Sequence, residues 1–314
     1  MSSIKIPDAF LSGPSANPQA YRIDFEKTSP PIVAFKNNFA AVIDNFMTET
    51  ECKELLRLAE ESITAPQTDE TTKDPSKPAP APVWERAMVN AGNGKQVMSV
   101  DTRKSGRIIL DSFDISQRIL DRLRPFLRDF GIERVQNQPT VTGLGPARRN
   151  EVFAVSSLNE RMRFLRYEGG DYFRPHWDGC YVTPDGKERS LFTIHLYLNG
   201  EGEQDMEELR PYLKRAEKEN RLILGGKLYD EVESKEMLDE QEISSEDSPQ
   251  VEGSLLGGAT SFIDGLGYKD AVRVFPKTGS ILIFSQRNLM HCGDDVFRGV
   301  KYTVRSDLMY SKED

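Results

Sequence analysis

The chain of 314 residues carries 50 acidic and 41 basic side chains, three histidines and a net charge of −9. Its 38% of hydrophobic residues is ordinary for a globular protein, and its length allows one large domain or two smaller ones. It contains no run of about eighteen apolar residues, which excludes a membrane-spanning helix and indicates no membrane partner.

The N-terminal segment and the cysteines indicate where the protein resides. Met1 to Gln19 has neither a basic start nor an apolar stretch, so we expect no secretory signal and a cytoplasmic protein, with the nucleus left open. The three cysteines, Cys52, Cys180 and Cys292, include no CxxC pair. Such a sparse set predicts a reducing compartment rather than a disulfide framework or a zinc ribbon.

The negative charge is concentrated in one segment, Glu201 to Gly253, which holds 17 of the acidic residues and 7 of the basic ones. The rest of the chain has 33 acidic and 34 basic residues and is therefore electrically balanced. Because binding to a phosphate backbone requires a clustered basic surface, the sequence predicts no nucleic-acid partner. We predict a lead-in over residues 1–38 and a single domain over residues 39–310, with residues 201–253 as an acidic insert.

The first predicted elements are a strand and a helix. Ala40 to Ile43 has the composition of a strand, and Thr48 with Glu51 forms a capping box that begins a helix. The apolar positions of this helix share one face: Cys52, Leu55, Leu56 and Ala59.

A second helix is predicted to begin at Asp114 with Gln117, and Pro125 is expected to kink or stop it. Its apolar positions again recur at helical spacing: Ile115, Ile119, Leu123 and Phe126. The segment between the two helices, Thr64 to Pro82, is rich in Pro, Ala and Thr and predicts an exposed loop.

From Arg161 onward the chain changes to short apolar segments separated by Gly and Pro. Strands are predicted at Met162–Tyr167, Leu191–Leu198, Thr260–Ile263, Val272–Phe275, Ser280–Phe284 and Tyr302–Leu308. Such a series predicts a sandwich or barrel, with the helices first and the antiparallel β core second. Within the acidic insert, Met206 to Glu219 predicts a helix and Glu231 to Glu252 a partly disordered segment.

Two of the three histidines lie in surroundings that indicate a metal site. His176 and Asp178 form an H-x-D pair at a predicted strand end, and His291 follows the strand Ser280–Phe284. Residues i and i+2 of a strand point to the same face, so His176 and Asp178 can reach one ion that His291 approaches from a facing strand. Two imidazoles and one carboxylate leave positions of an iron(II) ion open for a co-substrate and O2. The alternative is an H-x-D tripeptide that occurs by chance.

Two cations on the last predicted strand indicate a position that binds a carboxylate. Lys301 and Arg305 share one face of that strand, and a buried cation without a partner is energetically costly. A dicarboxylate co-substrate would supply the counter-charge. The alternative is a solvated lysine on an edge strand.

The remaining histidine, His195, shares a strand face with Thr193 and Tyr197. We expect His195 to line the same pocket as the metal ligands, either behind them or in contact with the substrate. The alternative is a core histidine with a satisfied hydrogen bond. Trp84 and Trp177 are candidates for a substrate cleft, although tryptophan is more often simply packed.

From about Asn45 to Tyr310 the chain resembles the prolyl 4-hydroxylase-like branch of the iron(II)/2-oxoglutarate oxygenases. The segments that carry the resemblance, in order, are Asn45–Thr48 with Glu51–Cys52, Arg163–Gly170, Phe173–Gly179, Tyr197–Asn199, Gly257–Phe262, His291–Gly293 and Gly299–Lys301. The fold that the resemblance implies is mainly β, a double-stranded β-helix (jelly roll) whose major sheet is backed by the N-terminal α-helices.

The resemblance also implies a set of catalytic residues and cofactors. His176, Asp178 and His291 match the family's iron ligands. The implied cofactor is Fe(2+), with 2-oxoglutarate and O2 as co-substrates; binding of ascorbate is left open. The implied reaction oxidises a C–H bond of the primary substrate and releases succinate and CO2.

The co-substrate site follows from the same resemblance. Lys301 matches the basic residue that receives the distal carboxylate of 2-oxoglutarate, Tyr197 a hydroxyl that helps to hold it, and Tyr167 a pocket tyrosine one strand earlier. Arg305 departs from the family pattern. Lys301 and Arg305 either share that carboxylate or divide between co-substrate and substrate.

Three functions are compatible with the sequence. The first is hydroxylation of a prolyl-type residue in a peptide or protein, and the second is the same chemistry on a small molecule. The third is a catalytically silent jelly roll that binds or senses a metal. The complete triad and the cationic anchor disfavour the third.

Overall fold

The computed structural model describes residues 5–15, 17–64, 82–90, 96–225, 252–265 and 271–313. Its strands are β1 (Gln19–Arg22), β2 (Ala40–Asp44), β3 (Glu85–Arg86), β4 (Val89–Asn90), β5 (Gln96–Val97), β6 (Arg103–Lys104), β7 (Gly106–Asp111), β8 (Arg134–Gln136), β9 (Val152–Leu158), β10 (Arg161–Glu168), β11 (Tyr172–His176), β12 (Glu188–Tyr197), β13 (Leu256–Gly257), β14 (Thr260–Ile263), β15 (Ala271–Val274), β16 (Ile281–Ser285), β17 (His291–Gly293), β18 (Val296–Arg298) and β19 (Val300–Lys312). Its helices are α1 (Glu49–Thr64), α2 (Phe113–Asp129), α3 (Pro139–Thr142), α4 (Leu144–Arg148) and α5 (Met206–Gly225), with a 3-10 turn at Val33–Phe35. Across the described ranges, none of the helices combines the length and the apolar character that crossing a membrane requires.

Two antiparallel sheets form the body of the protein. The major sheet has the order β1-β2-β16-β12-β19-β10-β7-β3, with β8 and β9 attached beside β19. The minor sheet has the order β15-β14-β17-β11-β6. Eight strands from β10 onward therefore divide four and four, as β16-β12-β19-β10 opposite β15-β14-β17-β11. This is the arrangement of a jelly roll, and the predicted fold class is confirmed.

The two faces of the major sheet pack against different layers. On β12, Ile194 and Leu196 belong to the core that holds Leu55 of α1 and Ile119 of α2. Tyr197 of the same strand packs instead with side chains of the minor sheet. Because side chains alternate along a strand, the polar residues of the inner face are enclosed between the two sheets.

The capping box of α1 forms as predicted. The backbone N–H of Thr48 donates to Glu51 Oε2 at 2.8 Å, and the N–H of Glu51 donates to Thr48 Oγ1 at 3.2 Å. The helix buries Cys52 and Leu55. Leu56, expected on the same face, is only partly buried.

The start of α2 differs from the prediction. The N-terminal cap is Ser112, whose Oγ accepts the N–H of Ile115 at 3.3 Å. Asp114 lies in the first turn, where its carboxylate accepts from Arg118 Nε at 2.8 Å. Pro125 does not stop the helix, which continues to Asp129.

The six predicted strands correspond to β10, β12, β14, β15, β16 and β19, with ends that shift by a few residues. The expected order of helices first and an antiparallel β core second holds for the eight jelly-roll strands, and β2 and β7 extend the major sheet from the helical half of the chain. Helix α5 confirms the helix predicted from Met206. Residues 65–81 of the predicted loop and 231–251 of the acidic segment lie outside the described residues.

Candidate functional site

The three predicted metal ligands converge at one end of the minor sheet. His176 ends β11 and stands opposite His291, which begins β17, while Asp178 follows β11 by two residues. The Nε2 atom of His176 lies 3.9 Å from Asp178 Oδ1, and the Nε2 atom of His291 lies 3.7 Å from Asp178 Oδ2. One ligand atom from each residue lies within 4.8 Å of the other two. Metal bonds of about 2.0–2.2 Å at right angles place neighbouring ligand atoms about 3 Å apart, so the set closes on an ion when these side chains move together by about 1–2 Å.

Backbone contacts fix both imidazoles in the tautomer that a metal requires. The Nδ1 atom of His176 lies 2.9 Å from the carbonyl oxygen of Arg174, and that of His291 lies 3.1 Å from the carbonyl oxygen of Leu289. A carbonyl oxygen only accepts, so each Nδ1 carries the hydrogen and donates it. The Nε2 lone pairs are left facing Asp178, which is the usual arrangement of metal-binding histidines.

Burial sets the protonation of the triad. It lowers the pKa of His176 to about 3 and lowers the pKa of His291 as well. Burial alone would raise the pKa of Asp178, but the adjacent Arg305 guanidinium outweighs it and holds that pKa well below its usual range. At neutral pH the site therefore presents two neutral imidazoles and one carboxylate, the forms that bind a cation.

A closed ring of polar contacts holds the carboxylate of Asp178. Thr193 Oγ1 donates to Asp178 Oδ2 at 2.6 Å, and Arg305 Nη2 lies 3.0 Å from Asp178 Oδ1. Arg305 Nη2 also lies 3.1 Å from Asp307 Oδ1. Gln286 Nε2 closes the ring, because it donates to Asp307 Oδ1 at 2.9 Å and to Thr193 Oγ1 at 3.2 Å. Both oxygens of the metal-facing carboxylate are thus fixed from behind.

Lys301 is a buried cation on the wall of the same cavity. Its side chain is 3% exposed, and its Nζ donates to the carbonyl oxygen of Gly258 at 2.6 Å. Among the described residues, no carboxylate lies within 4.0 Å of this Nζ. Burial lowers the pKa of Lys301 to about 8. The carboxylate of Asp294 acts on this ammonium group only from beyond ion-pair distance, so a carboxylate ligand in the cavity would supply the close counter-charge.

The rings of the two predicted tyrosines both lie near this ammonium group. The Nζ of Lys301 is 5.2 Å from the ring centre of Tyr167 and 5.6 Å from that of Tyr197. Tyr167 lines the cavity, whereas Tyr197 is fully buried and donates its hydroxyl to Thr260 Oγ1 at 2.8 Å. Thr260 is the residue that reaches the cavity at this point.

His195 lies in the pocket, as the strand periodicity predicts. It lines the cavity together with the triad, and its Nδ1 is 3.4 Å from Thr260 Oγ1. Its ring centre lies 6.3 Å from that of His291. The detected metal-ligand set contains His176, Asp178 and His291 without His195.

The two tryptophans lie in different places. Trp84 packs against Tyr302 on the helix side of the major sheet and donates to Glu60, away from the cavity. Trp177 is 62% exposed and lines an open cleft of about 400 Å³ that also borders Asp178. Only Trp177 is in a position to contact a substrate that approaches the triad.

Several functional side chains were not identified from the sequence. Gln286, Asp307, Thr260 and Arg103 lie at or behind the site, yet none of them was assigned a role from the sequence. The strand alternation offered one signal, because Asp307 shares a face of β19 with Lys301 and Arg305. Gln286 and Arg103 come from loop and edge-strand positions that only the tertiary fold brings to the site.

The chain was compared with protein-family models, with curated proteins and with solved structures. A scan against protein-family models finds no match, and a search of curated proteins finds none either. A viral collagen prolyl hydroxylase of Paramecium Bursaria Chlorella virus-1 is 15% identical, with 87% of this chain and 96% of that chain covered and a TM-score of 0.40. A prolyl hydroxylase of Trichoplax adhaerens is 12% identical, with 73% and 70% covered and a TM-score of 0.36. A prolyl-4-hydroxylase of Pseudomonas putida is 15% identical, with 67% and 74% covered and a TM-score of 0.31. Likenesses at these scores carry no conclusion about function, which rests on the chain's own residues.

Proposed function

We propose that this protein is an iron(II)-dependent dioxygenase that uses 2-oxoglutarate and O2, with His176, Asp178 and His291 as the metal ligands. The observation that carries the proposal is the convergence of two bare imidazole Nε2 atoms and one ionised carboxylate beside a buried lysine without a carboxylate partner. Two nitrogens and one oxygen on one side of an ion are the ligand set of non-haem iron oxygenases.

The roles of the chain's residues follow from their contacts. When bound, iron(II) with 2-oxoglutarate and O2 supplies the oxidant for a C–H bond and releases succinate and CO2. Lys301 holds the distal carboxylate, and Thr260, which Tyr197 orients, provides a hydroxyl beside it. Tyr167 lines the same cavity near the Lys301 ammonium group. Enclosure between the two sheets keeps bulk water from the reacting groups.

Arg305 serves the metal rather than the co-substrate in this proposal. Its guanidinium already lies between the carboxylates of Asp178 and Asp307. A further carboxylate would have to displace one of them. Lys301 therefore remains as the anchor, and Arg305 holds the ligand Asp178 in place.

The primary substrate is proposed to be of prolyl type, hydroxylated in a peptide or as a small molecule. The sequence resemblance motivates the prolyl class, and the open cleft at Trp177 provides an approach to the triad. The competing function is a metal-binding jelly roll without catalysis. The two are separated by whether 2-oxoglutarate is consumed.

The direct test is succinate formation from 2-oxoglutarate by the purified protein with iron(II), O2 and ascorbate. The expected result is succinate production that requires iron, coupled to a gain of one oxygen in an accepted proline-containing peptide or metabolite. His291→Ala serves as the inactive control. Tight binding of iron and 2-oxoglutarate without any succinate across the substrate screen would favour the silent jelly roll.

A further inference from the structure

Arg103 is a buried cation that the proposed reaction leaves without a task. It belongs to β6, the edge strand of the minor sheet, and pairs with Phe173 of β11. Its side chain is 8% exposed and lines the same cavity as the triad. The guanidinium lies 4.5 Å from the ring centre of Phe173, and that ring stacks on His176 at 3.6 Å. Arg103 is therefore one aromatic ring away from a metal ligand.

The contacts of Arg103 do not neutralise its charge. Its Nε donates to Ser105 Oγ at 3.2 Å. Across the part of the chain that the structure describes, no carboxylate lies within 4.0 Å of the guanidinium and neither Nη atom has a hydrogen-bond partner. A second buried cation, Arg107, lies close enough that burial and the Arg103 guanidinium both lower the pKa of Arg107. Burying a cation in this way is costly unless a ligand compensates it.

The other positive charges of the site are matched by negative ones. Arg305 lies between Asp178 and Asp307, and Lys301 is matched by the distal carboxylate of 2-oxoglutarate in the proposed function. A bound iron(II) ion would be matched by Asp178 and by the co-substrate. Arg103 alone among the cavity-lining cations remains without a counter-charge. A guanidinium has the planar fork that binds a carboxylate through two parallel hydrogen bonds.

We infer that the primary substrate carries a carboxylate and that Arg103 binds it beside the metal. This inference rests on the proposed function. It selects among the substrates left open there, because an internal prolyl residue of a peptide has no carboxylate near the reacting carbon. A free amino acid or a C-terminal residue has one, and both sources share the chemistry that Arg103 recognises.

Acetate, with acetamide and chloride as matched controls, tests the site without knowledge of the substrate. The protein is first loaded with Mn(II) and saturating 2-oxoglutarate under anaerobic conditions, and its melting temperature is measured. Acetate is expected to raise this temperature by about 2 °C or more at ten times its dissociation constant. Acetamide and chloride at equal concentration are expected to leave it unchanged. An equal response to acetate and chloride, or no response to acetate, would overturn the inference.

The loading step with Mn(II) and 2-oxoglutarate distinguishes a failure of this inference from a failure of the proposed function. If Mn(II) and 2-oxoglutarate do not stabilise the protein, the proposed function fails. If they do and acetate adds nothing, only the carboxylate site fails. The wild-type protein alone decides this, so the test does not depend on the folding of a variant.

Variants then assign the effect to Arg103. Arg103→Gln is expected to lose the acetate response while the dissociation constant of 2-oxoglutarate changes less than twofold. Arg103→Lys keeps the positive charge but lacks the planar guanidinium group that forms two parallel hydrogen bonds. This variant is expected to show a smaller rise in melting temperature with acetate. Arg148→Gln, at an exposed arginine in α4, is the matched control and is expected to behave as wild type. A loss of 2-oxoglutarate binding in Arg103→Gln would place Arg103 in the co-substrate site instead.

Turnover distinguishes the two sources of the carboxylate. Proline-containing compounds are offered in matched pairs, as free acid and as primary amide, and oxygen incorporation is read by mass. Free acids are expected to react at least tenfold faster than their amides, and Arg103→Gln is expected to reduce this preference to below threefold. Preference for free proline over a peptide with a C-terminal proline identifies a small-molecule enzyme, and the reverse identifies a C-terminal modification. Equal turnover of acids and amides would contradict the assignment.

Discussion

Lys301 and Arg305 lie four residues apart on β19 and face the same cavity, yet their surroundings give them different tasks. The Nζ of Lys301 has a carbonyl oxygen as its hydrogen-bond acceptor, whereas Arg305 already lies between two carboxylates. A ligand carboxylate gains more from the cation that has no anionic partner. The division left open by the sequence is therefore resolved in our proposal in favour of Lys301.

Replacing Lys301 by Ala should weaken 2-oxoglutarate binding without a comparable loss of iron. A charge-assisted hydrogen bond contributes about 1.5–3 kcal/mol, which corresponds to a roughly 10- to 100-fold rise in the dissociation constant of 2-oxoglutarate. The measurement is a titration of the Mn(II)-loaded protein. Arg305→Ala is the comparison, and it should reduce metal affinity more than co-substrate affinity. A larger loss of 2-oxoglutarate binding in Arg305→Ala would move the anchor to Arg305.

Binding of 2-oxoglutarate should also depend on pH through Lys301. Burial lowers the pKa of Lys301 to about 8, so its ammonium group loses its proton as the pH rises through that value. The co-substrate stays a dianion over this range. Its dissociation constant should be level below about pH 7 and rise roughly tenfold per unit above pH 8. Titrations at several pH values test this, and a rise that persists in Lys301→Met would assign the dependence to another group.

The residues that the sequence identified are those within short motifs. His176 and Asp178 share a tripeptide, and Lys301 shares a strand face with Arg305. Gln286 and Arg103 could not be found in this way, because their contacts with the site are made through residues distant in sequence. Thr193 was recognised as sharing a face with His195, but its hydrogen bond to Asp178 required the fold.

At the scale of elements, strands β12, β16 and β19 jointly hold the metal-facing carboxylate. Thr193 lies on β12, Gln286 follows β16, and Arg305 and Asp307 lie on β19. These strands are adjacent in the major sheet, while the ligand Asp178 follows β11 of the minor sheet. The ring therefore connects the two sheets at the site.

Thr193→Val should test this ring with little change in shape. It removes the hydroxyl that donates to Asp178 and accepts from Gln286. Loss of a hydrogen bond behind a metal ligand typically lowers metal affinity by about 10- to 100-fold. Thr303→Val is the matched control for iron affinity, because Thr303 donates to the backbone of Leu196 instead. Equal iron affinities in the two variants would show that the ring does not position Asp178.

The sequence predicted helices and strands correctly where neighbouring residues alone specify the element. Helix α1 and strand β14 are observed as expected, since a capping box specifies the helix and β-branched and aromatic residues specify the strand locally. Strands β7 and β9 were missed. Their residues pair with β10 and β19 respectively, so the ladders that define them are formed only after the chain folds. The start of α2 shifted because Ser112 outcompetes Asp114 as the cap.

At the scale of the whole molecule, the first part of the acidic insert, residues 201–225, packs against the body of the protein. Residues 226–251 lie outside the described residues. Helix α5 packs against the body, where Arg298 Nη1 lies 2.7 Å from Glu208 Oε1 and the rings of Tyr212 and Phe297 are 5.2 Å apart. The side-chain amide of Gln204 donates to the carbonyl oxygen of Gly257 and accepts from the backbone N–H of the same residue. The carbonyl oxygen of the next residue, Gly258, accepts the hydrogen bond from Lys301 Nζ. The first part of the insert therefore supports the end of the cavity at which Lys301 lies.

Deletion of residues 231–250 should leave the fold and iron binding intact while it changes substrate use. These residues are strongly acidic and have few large apolar groups, a composition that favours a solvated segment over a contribution to a core. The measurements are the melting temperature, iron affinity and turnover of the accepted substrate. Unaltered turnover would show that the segment is a solvated loop without a role, and loss of iron binding would show that it belongs to the core.

The central claim, a metal site made by His176, Asp178 and His291, is tested most directly by anaerobic titration with iron(II). The chain has three histidines, so His195→Ala is a matched control from the same cavity. Wild type and His195→Ala should each bind one iron(II) ion per chain with similar affinity. His176→Ala, Asp178→Ala and His291→Ala should each lose roughly 100-fold or more, because each removes one of three protein ligands. Loss of binding in His195→Ala together with retention in any of the other three would contradict the assignment.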